Sequence, residues 1–164
     1  MARTQSELQV ITFAKNLCSY VMTITQKSPK QFRFSLIGRM QGYVLDIVEE
    51  LYYANDIYVT PASRSGWVQR QAHQRKAMAT LKLLSWVAQV SMEQGAIQPK
   101  QFQQISEQCW NKQNLLGAWI ISDQKRLNSG KQKQESADQG SAPEQGVHPG
   151  TVLYGWWETF PNFV

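Results

Sequence analysis

The 164-residue chain has the length of one ordinary domain, and 42% of its residues are hydrophobic, so it can bury a core of its own. Six tryptophans, with only six prolines and ten glycines, exclude a collagen-like or low-complexity chain. Two distant cysteines, Cys18 and Cys109, exclude a disulfide scaffold and a cysteine-ligated zinc module, and we expect both to be reduced thiols.

The first half of the chain shows helical spacing of its apolar residues. The pattern predicts one helix over residues 6–26, which ends because Pro29 disfavours helical geometry at the residue before it. A second helix is predicted from about Gln31 or Phe34 to Asn55. Residues 56–66 contain Pro61 and Gly66 and are predicted to form a loop.

The third predicted helix, about residues 67–94, is apolar almost all round between positions 77 and 90. A helix of this kind is buried on more than one side. One side of a helix in a four-helix monomer faces the core, so the surplus apolar residues are expected to form a subunit interface. These residues are Leu83, Trp86, Val87 and Val90.

The fourth predicted helix spans residues 99–127, after a tight connection in which Gly95 ends one helix and Pro99 begins the next. We expect Asn128-Ser129-Gly130 to end it. No sustained period-two alternation occurs in residues 1–128. The predicted fold is therefore an all-α, up-down-up-down four-helix bundle over residues 1–128.

The C-terminal part differs in composition from the bundle. Residues 129–147 are rich in Gln, Ser, Glu, Gly, Lys and Ala and are predicted to be a flexible linker. Residues 148–164 are too few to form a core, and two roles stay open: docking on the chain's own bundle or oligomer, or anchoring a partner. The anchoring residues would be Tyr154, Trp156, Trp157, Phe160 and Phe163.

The positive charge belongs to the predicted bundle. Residues 1–128 carry 15 Lys and Arg against 8 Asp and Glu, and the remainder carries 2 against 4. A basic domain most often meets a polyanion, and nucleic acid is the commonest one, although a merely solvated charged face is the alternative. The main candidates, with no acid until Glu93, are Arg64, Arg70, Arg75, Lys76 and Lys82; a second group is Lys27, Lys30, Arg33 and Arg39.

The sequence shows no arrangement typical of catalysis, of a metal site or of a cofactor site. His73 has no acidic neighbour in the chain, so we expect it to be solvated or to contact phosphate. We expect Asp46, Glu49 and Glu50 to form a solvated face. No apolar stretch reaches the roughly 18 residues of a membrane span, and no signal-peptide layout is present. We therefore expect a cytoplasmic binding protein without a membrane partner.

Two segments, together with the order of the helices, carry a resemblance to a known family. They are Lys-Ser-Pro-Lys-Gln-Phe-Arg-Phe-Ser-Leu at residues 27–36 and Leu-Leu-Gly-Ala-Trp-Ile at residues 115–120. Over about residues 5–128 the chain resembles the four-helix accessory variability determinant (Avd) proteins of diversity-generating retroelements, and their relatives encoded in intervening sequences of bacterial ribosomal RNA genes.

The resemblance implies a homopentameric barrel with a basic surface and no catalytic site. Such a protein binds nucleic acid and the element's reverse transcriptase, and supports mutagenic cDNA synthesis from a template RNA. By position, the candidates for RNA or polymerase contacts are Arg39, Arg70, Arg75, Lys76 and Lys82. The alternative function is an oligomeric protein-interaction scaffold whose basic face meets an acidic protein.

Overall fold

The computed structural model describes the backbone of residues 5–60 and 63–139 and the side chains of residues 9–60 and 63–130. These residues form four α-helices and no strand, which confirms the predicted all-α class. None of the described helices is long and apolar enough to cross a membrane. The helices are α1 (Gln5–Thr25), α2 (Gly38–Asp56), α3 (Arg64–Glu93) and α4 (Pro99–Gln139).

The helices pack in chain order around one core, and α1 also packs against α4. Contacts between α1 and α2 show that these two helices are antiparallel. Gln41, early in α2, donates a 2.8 Å hydrogen bond to Thr25 at the end of α1. Lys15, midway along α1, lies 5.3 Å from the ring centre of Tyr52, late in α2. Short connections at residues 57–63 and 94–98 reverse the chain twice more, so the helices run alternately up and down.

The core is a single apolar cluster to which all four helices contribute. Burying such side chains supplies the main favourable free energy of folding. Trp119 is the largest side chain that is fully buried. The other large ones include Leu17, Met40, Ile47, Leu51, Leu81, Leu84, Ile105 and Leu116.

The turn between α3 and α4 forms as its glycine and proline predict. Gly95 has a φ of 74°, the left-handed conformation in which a residue with a Cβ is strained. The amide N–H of Ala96 donates to the carbonyl oxygen of Ser91 at 2.7 Å, which satisfies the end of α3. Pro99 is the first residue of α4.

The connection between α2 and α3 is tied to the bundle by Trp67. This side chain is buried, and its Nε1 donates a 2.9 Å hydrogen bond to the carbonyl oxygen of Thr60. Gly66, predicted to belong to the loop, lies in the first turn of α3 instead. A Cβ at this position would stand 2.9 Å from Ser63 Oγ and 3.3 Å from the Tyr58 carbonyl oxygen, so glycine allows the loop to approach the helix.

The predicted end of the fourth helix is wrong, because α4 continues past residues 128–130 to Gln139. The hydroxyl of Ser129 donates a 2.9 Å hydrogen bond to the carbonyl oxygen of Lys125, so this residue is satisfied inside the helix. A single interior glycine costs only about 1 kcal/mol, which the good helix formers around Gly130 offset. The first part of the predicted linker is therefore helical, and residues 140–147 lie outside the described residues.

The predicted start of the second α-helix, at about Gln31 or Phe34, is wrong, because α2 begins at Gly38. A 3₁₀ turn at Lys30–Phe32 leads into a π-helical turn at Arg33–Ile37, which continues directly into α2. The N–H of Gly38 points back to the carbonyl oxygens of Arg33 and Ser35. π-Helical turns are rare in proteins, and those that occur often lie at functional sites.

Candidate nucleic-acid interface

The α1–α2 connection and the α3–α4 turn lie side by side at one end of the bundle. We call this region the turn end and define it as residues 26–39 and 94–101. An open cleft of about 460 Å³ separates the two connections and is lined by residues of both, including Lys27, Pro29, Ile97 and Pro99. Two connections that are distant in the chain therefore form one surface.

Five exposed cations lie at the turn end, and none of them makes an ion pair with another described residue. The nearest acids along α2 and α4 are Asp46 and Glu107, each seven residues, or roughly 10 Å, from a cation of the turn end. Glu93, the last residue of α3, lies just before the turn end, and its carboxylate accepts a hydrogen bond from Gln89. No acid occurs within residues 26–39 or 94–101, so the turn end itself carries a net positive charge. The five cations are Lys27, Lys30, Arg33, Arg39 and Lys100.

The most exposed large apolar side chain of the described residues is at this same end. Phe34, in the π-helical turn, is 95% exposed. It borders a groove of about 330 Å³ that continues along α2 past Gly38, Gly42 and Asp46. In the groove wall, the Arg39 guanidinium lies 5.7 Å from the ring centre of Tyr43, within the range of a cation–π contact.

The main predicted group of cations, on α3, divides into two sets. Arg64, Arg75 and Lys82 are exposed and make no ion pair with another described residue. They are spread over roughly 27 Å of helix, because 18 residues separate the first from the last. These three are free to contact an anion, but they form a line rather than a cluster.

Arg70 differs from the prediction, and the expectation that it is an exposed cation is wrong. It is only 5% exposed, and its Nε donates to Asp123 Oδ2 at 2.8 Å. Its guanidinium also lies 5.0 Å from the ring centre of Trp119. Gln74 donates to the same carboxylate at 2.7 Å, and Arg126 approaches it at 3.6 Å. Arg70 therefore balances a fully buried acid of α4.

Lys76 and His73 are also engaged within the bundle. Lys76 Nζ lies 2.6 Å from Glu50 Oε1, and His73 Nδ1 lies 2.7 Å from Glu50 Oε2. The expectations that His73 is solvated or contacts phosphate and that Glu50 belongs to a solvated face are wrong, because Glu50 is buried. Burial by itself raises the pKa of Glu50, but the hydrogen bonds from Lys76 and His73 outweigh it and lower this pKa. The same bond raises the pKa of Lys76.

The predicted interface on α3 is exposed in part. Leu83 and Trp86 are 44% and 61% exposed, and Val90 is half-buried. Positions 83, 86 and 90 fall on one side of a helix and form an apolar stripe. Val87 is the exception: it is 4% exposed and belongs to the core of its own bundle, so the prediction of surplus surface is wrong for this residue.

The remaining predictions concern residues and groups away from these surfaces. The aromatic segment with Tyr154, Trp156, Trp157, Phe160 and Phe163 lies outside the described residues. Cys18 and Cys109 are free thiols, and burial raises the pKa of both. In the part of the chain that the structure describes, no three His, Cys, Asp or Glu side chains are grouped to hold a metal ion.

Sequence reasoning missed three features of these surfaces: the exposure of Phe34, the place of Lys100 and the burial of Asp123. The burial had a signal, because Asp123 stands four residues after Trp119 and continues the apolar side of α4. Lys100 is distant in sequence from the other four cations of the turn end, and only the packing of the helices places it on the same surface. The exposure of Phe34 could not be predicted from the periodicity of the sequence, because the π-helical turn departs from the regular α-helical period.

Comparisons of the chain with protein-family models, with curated proteins and with solved structures found no match.

Proposed function

We propose that this chain is a non-catalytic, nucleic-acid-binding accessory subunit that associates with a retroelement reverse transcriptase and its template RNA and supports mutagenic cDNA synthesis. The observation that carries the proposal is the group of five exposed cations at the turn end that make no ion pair with any residue the structure describes. The resemblance of residues 27–36 and 115–120 to the Avd family supports the polymerase and the template RNA as partners.

Phosphate contacts made by such cations hold a nucleic acid with little dependence on its sequence. Arg64, Arg75 and Lys82 extend the basic surface along α3, so an RNA chain has more than one place to bind. The role suits an accessory subunit, which must hold templates of differing sequence and leave the chemistry to the polymerase.

Self-association is part of the proposal, with a homopentamer as the expected state. Its support is the apolar stripe formed by the exposed Leu83 and Trp86 and the half-buried Val90, since exposed apolar patches mark interaction sites. Several copies would repeat the basic surface, and their combined avidity would exceed the affinity of one copy. Light scattering on the full chain tests this part: Trp86→Lys should reduce the measured mass to that of the monomer, and a monomeric wild type would contradict it.

Binding of labelled RNA by the full chain, measured over a range of salt concentrations, tests nucleic-acid binding. The logarithm of the association constant should fall linearly with the logarithm of salt concentration, by roughly 0.7 per phosphate contacted in a single strand. The double variant Lys30→Glu/Arg33→Glu, which reverses two charges of the turn end, should bind more weakly. The control Lys15→Glu should bind as the wild type does, because Lys15 lies on α1 over Tyr52.

No binding at low salt, or equal binding by the turn-end double variant and the wild type, would contradict the proposal. The scaffold alternative is tested by co-purification with the reverse transcriptase. If all partners stay bound after nuclease treatment and the purified chain binds no RNA, the basic surface serves an acidic protein instead.

A further inference from the structure

Phe34 is held in an exposed position by a well-anchored backbone. The π-helical turn that carries it is closed by hydrogen bonds from the Gly38 N–H. On either side of the exposed ring, Ile37 is buried and Phe32 packs against the core. The ring is therefore presented to solvent by the fold, in a place where burial against the bundle would have been favourable.

The surroundings of Phe34 are cationic. Lys30, Arg33 and Arg39 all lie within five residues of it, are exposed and have no ion pair with a described residue. An apolar protein surface, or a second copy of this end, would bury these charges without a partner, which is costly. A suitable ligand must bring a flat apolar face and negative charge together.

An unpaired nucleotide has both properties. Its base can stack on an aromatic ring, and its phosphates attract cations, whereas the bases of a duplex are already stacked inside and out of reach of such a ring. The groove beside Phe34 offers room for this, since a Cβ placed on Gly42 would meet nothing within 4 Å. The carboxylate of Asp46, farther along the groove, would repel phosphate and leave the nucleic-acid backbone on the side of Arg33 and Arg39.

We infer that the turn end is a binding surface for single-stranded nucleic acid, in which Phe34 stacks on an unpaired base while Lys30, Arg33 and Arg39 contact the neighbouring phosphates. This inference rests on the proposed function and deepens it. It assigns the single-stranded form of the nucleic acid and the aromatic residue that selects it.

The test compares binding of a labelled single-stranded RNA with binding of the same RNA annealed to its complement, by the full chain in one buffer. Phe34→Ala should lower the affinity for the single strand by roughly 5- to 150-fold, the loss of one stacked base. Its affinity for the duplex and the salt dependence of binding should not change, because no cation is removed. Phe34→Tyr should restore single-strand binding.

Two control variants complete the design. Tyr58→Ala removes an aromatic side chain that is 73% exposed in the α2–α3 loop, at the opposite end of the bundle, and should bind as the wild type does. Gly42→Leu fills the groove while Phe34 is kept, and should weaken single-strand binding. Thermal unfolding of each variant checks that the fold is intact.

The outcomes separate the two proposals. If the wild type binds no RNA at low salt, the proposed function fails and the inference fails with it. If the wild type binds but Phe34→Ala binds the single strand equally well, or loses single strand and duplex alike, only the inference is overturned. A change of oligomeric state in Phe34→Ala without a change in RNA affinity would also overturn it, because the ring would then be a contact between copies.

Discussion

The turn end and the α2–α3–α4 side of the bundle carry the same kinds of basic residue in opposite situations. At the turn end, Lys30 and Arg33 are exposed and have no ion pair with a described residue. On the other side, Arg70 pairs with Asp123 and Lys76 pairs with Glu50. A run of positive charge in the sequence therefore does not by itself locate a binding surface. What decides is whether a buried carboxylate lies within reach.

The difference follows from the cost of burying charge. Asp123 is fully buried and Glu50 is 5% exposed, and a buried carboxylate is tolerated only when cations and hydrogen-bond donors surround it. Arg70 and Lys76 meet this requirement, so each of these charges is balanced by a carboxylate of the protein itself. No buried acid of the described residues lies at the turn end, and its cations are available to an outside ligand.

The largest predicted effect comes from a variant that breaks the buried ion pair between Asp123 and Arg70. Asp123→Asn keeps the shape of the side chain but leaves Arg70 buried without its carboxylate, which should lower the free energy of unfolding by about 3–5 kcal/mol. Chemical denaturation measures this loss. RNA binding by the protein that remains folded should be unchanged.

Two further variants test whether the unpaired charge of Arg70 causes this loss of stability. Replacing Arg70, Asp123 and the buried donor Gln74 with apolar residues, as in Arg70→Met/Gln74→Met/Asp123→Leu, should recover most of the stability, because neither an unpaired charge nor an unsatisfied buried amide is left. Glu107→Gln, an exposed acid of α4, should change stability by no more than about 0.5 kcal/mol. A loss below about 1 kcal/mol for Asp123→Asn would contradict the role of this ion pair.

The second predicted effect is smaller and depends on pH. Glu50→Gln should lower the free energy of unfolding at about pH 7 by roughly 1–3 kcal/mol, because it loses charge-assisted hydrogen bonds. In the wild type the pKa of Glu50 is lowered from its ordinary value of 4.5 by its bonds to Lys76 and His73, despite its burial. Its contribution is therefore present above pH 4.5 and is lost as the pH falls through the lower pKa of the folded protein.

Urea unfolding at about pH 7 and about pH 3 measures this dependence in the wild type and in Glu50→Gln. The difference between the two proteins should be smaller at the lower pH than at the higher one, because Glu50 becomes protonated first in the unfolded chain. A difference that stays constant over this range would show that the ionised carboxylate is not the source of the stability.

The paired residues also show what a sequence can predict here. Helix positions, the Gly95 turn and most of the core follow from periodicity and turn chemistry. The burial of Glu50 was also predictable from the sequence, since Glu50 stands three residues after Ile47 and four before Ala54 on the buried side of α2. The ion-pair partners were not predictable from the sequence. Arg70 and Asp123 are 53 residues apart, and only the packing of α3 on α4 brings them together.

The smallest predicted effect on stability comes from a variant that removes two cations of the turn end. Lys27→Gln/Lys30→Gln should change the free energy of unfolding by no more than about 0.5 kcal/mol, because these side chains have no partner to lose among the described residues. The slope of the logarithm of RNA affinity against the logarithm of salt should fall in magnitude by up to roughly 1.4, or about 0.7 for each lost phosphate contact. Lys15→Gln/Lys125→Gln removes the same charge elsewhere and should leave the slope unchanged.

Lysine acetylation of the wild-type chain with and without single-stranded RNA, read by mass spectrometry, tests the difference between the two regions most directly. Lys27, Lys30 and Lys100 should become less reactive when RNA is bound. Lys76, whose side chain is 68% exposed but bonded to Glu50, should react equally in both samples. Protection of Lys76 with no protection at the turn end would contradict the assignment of the binding surface.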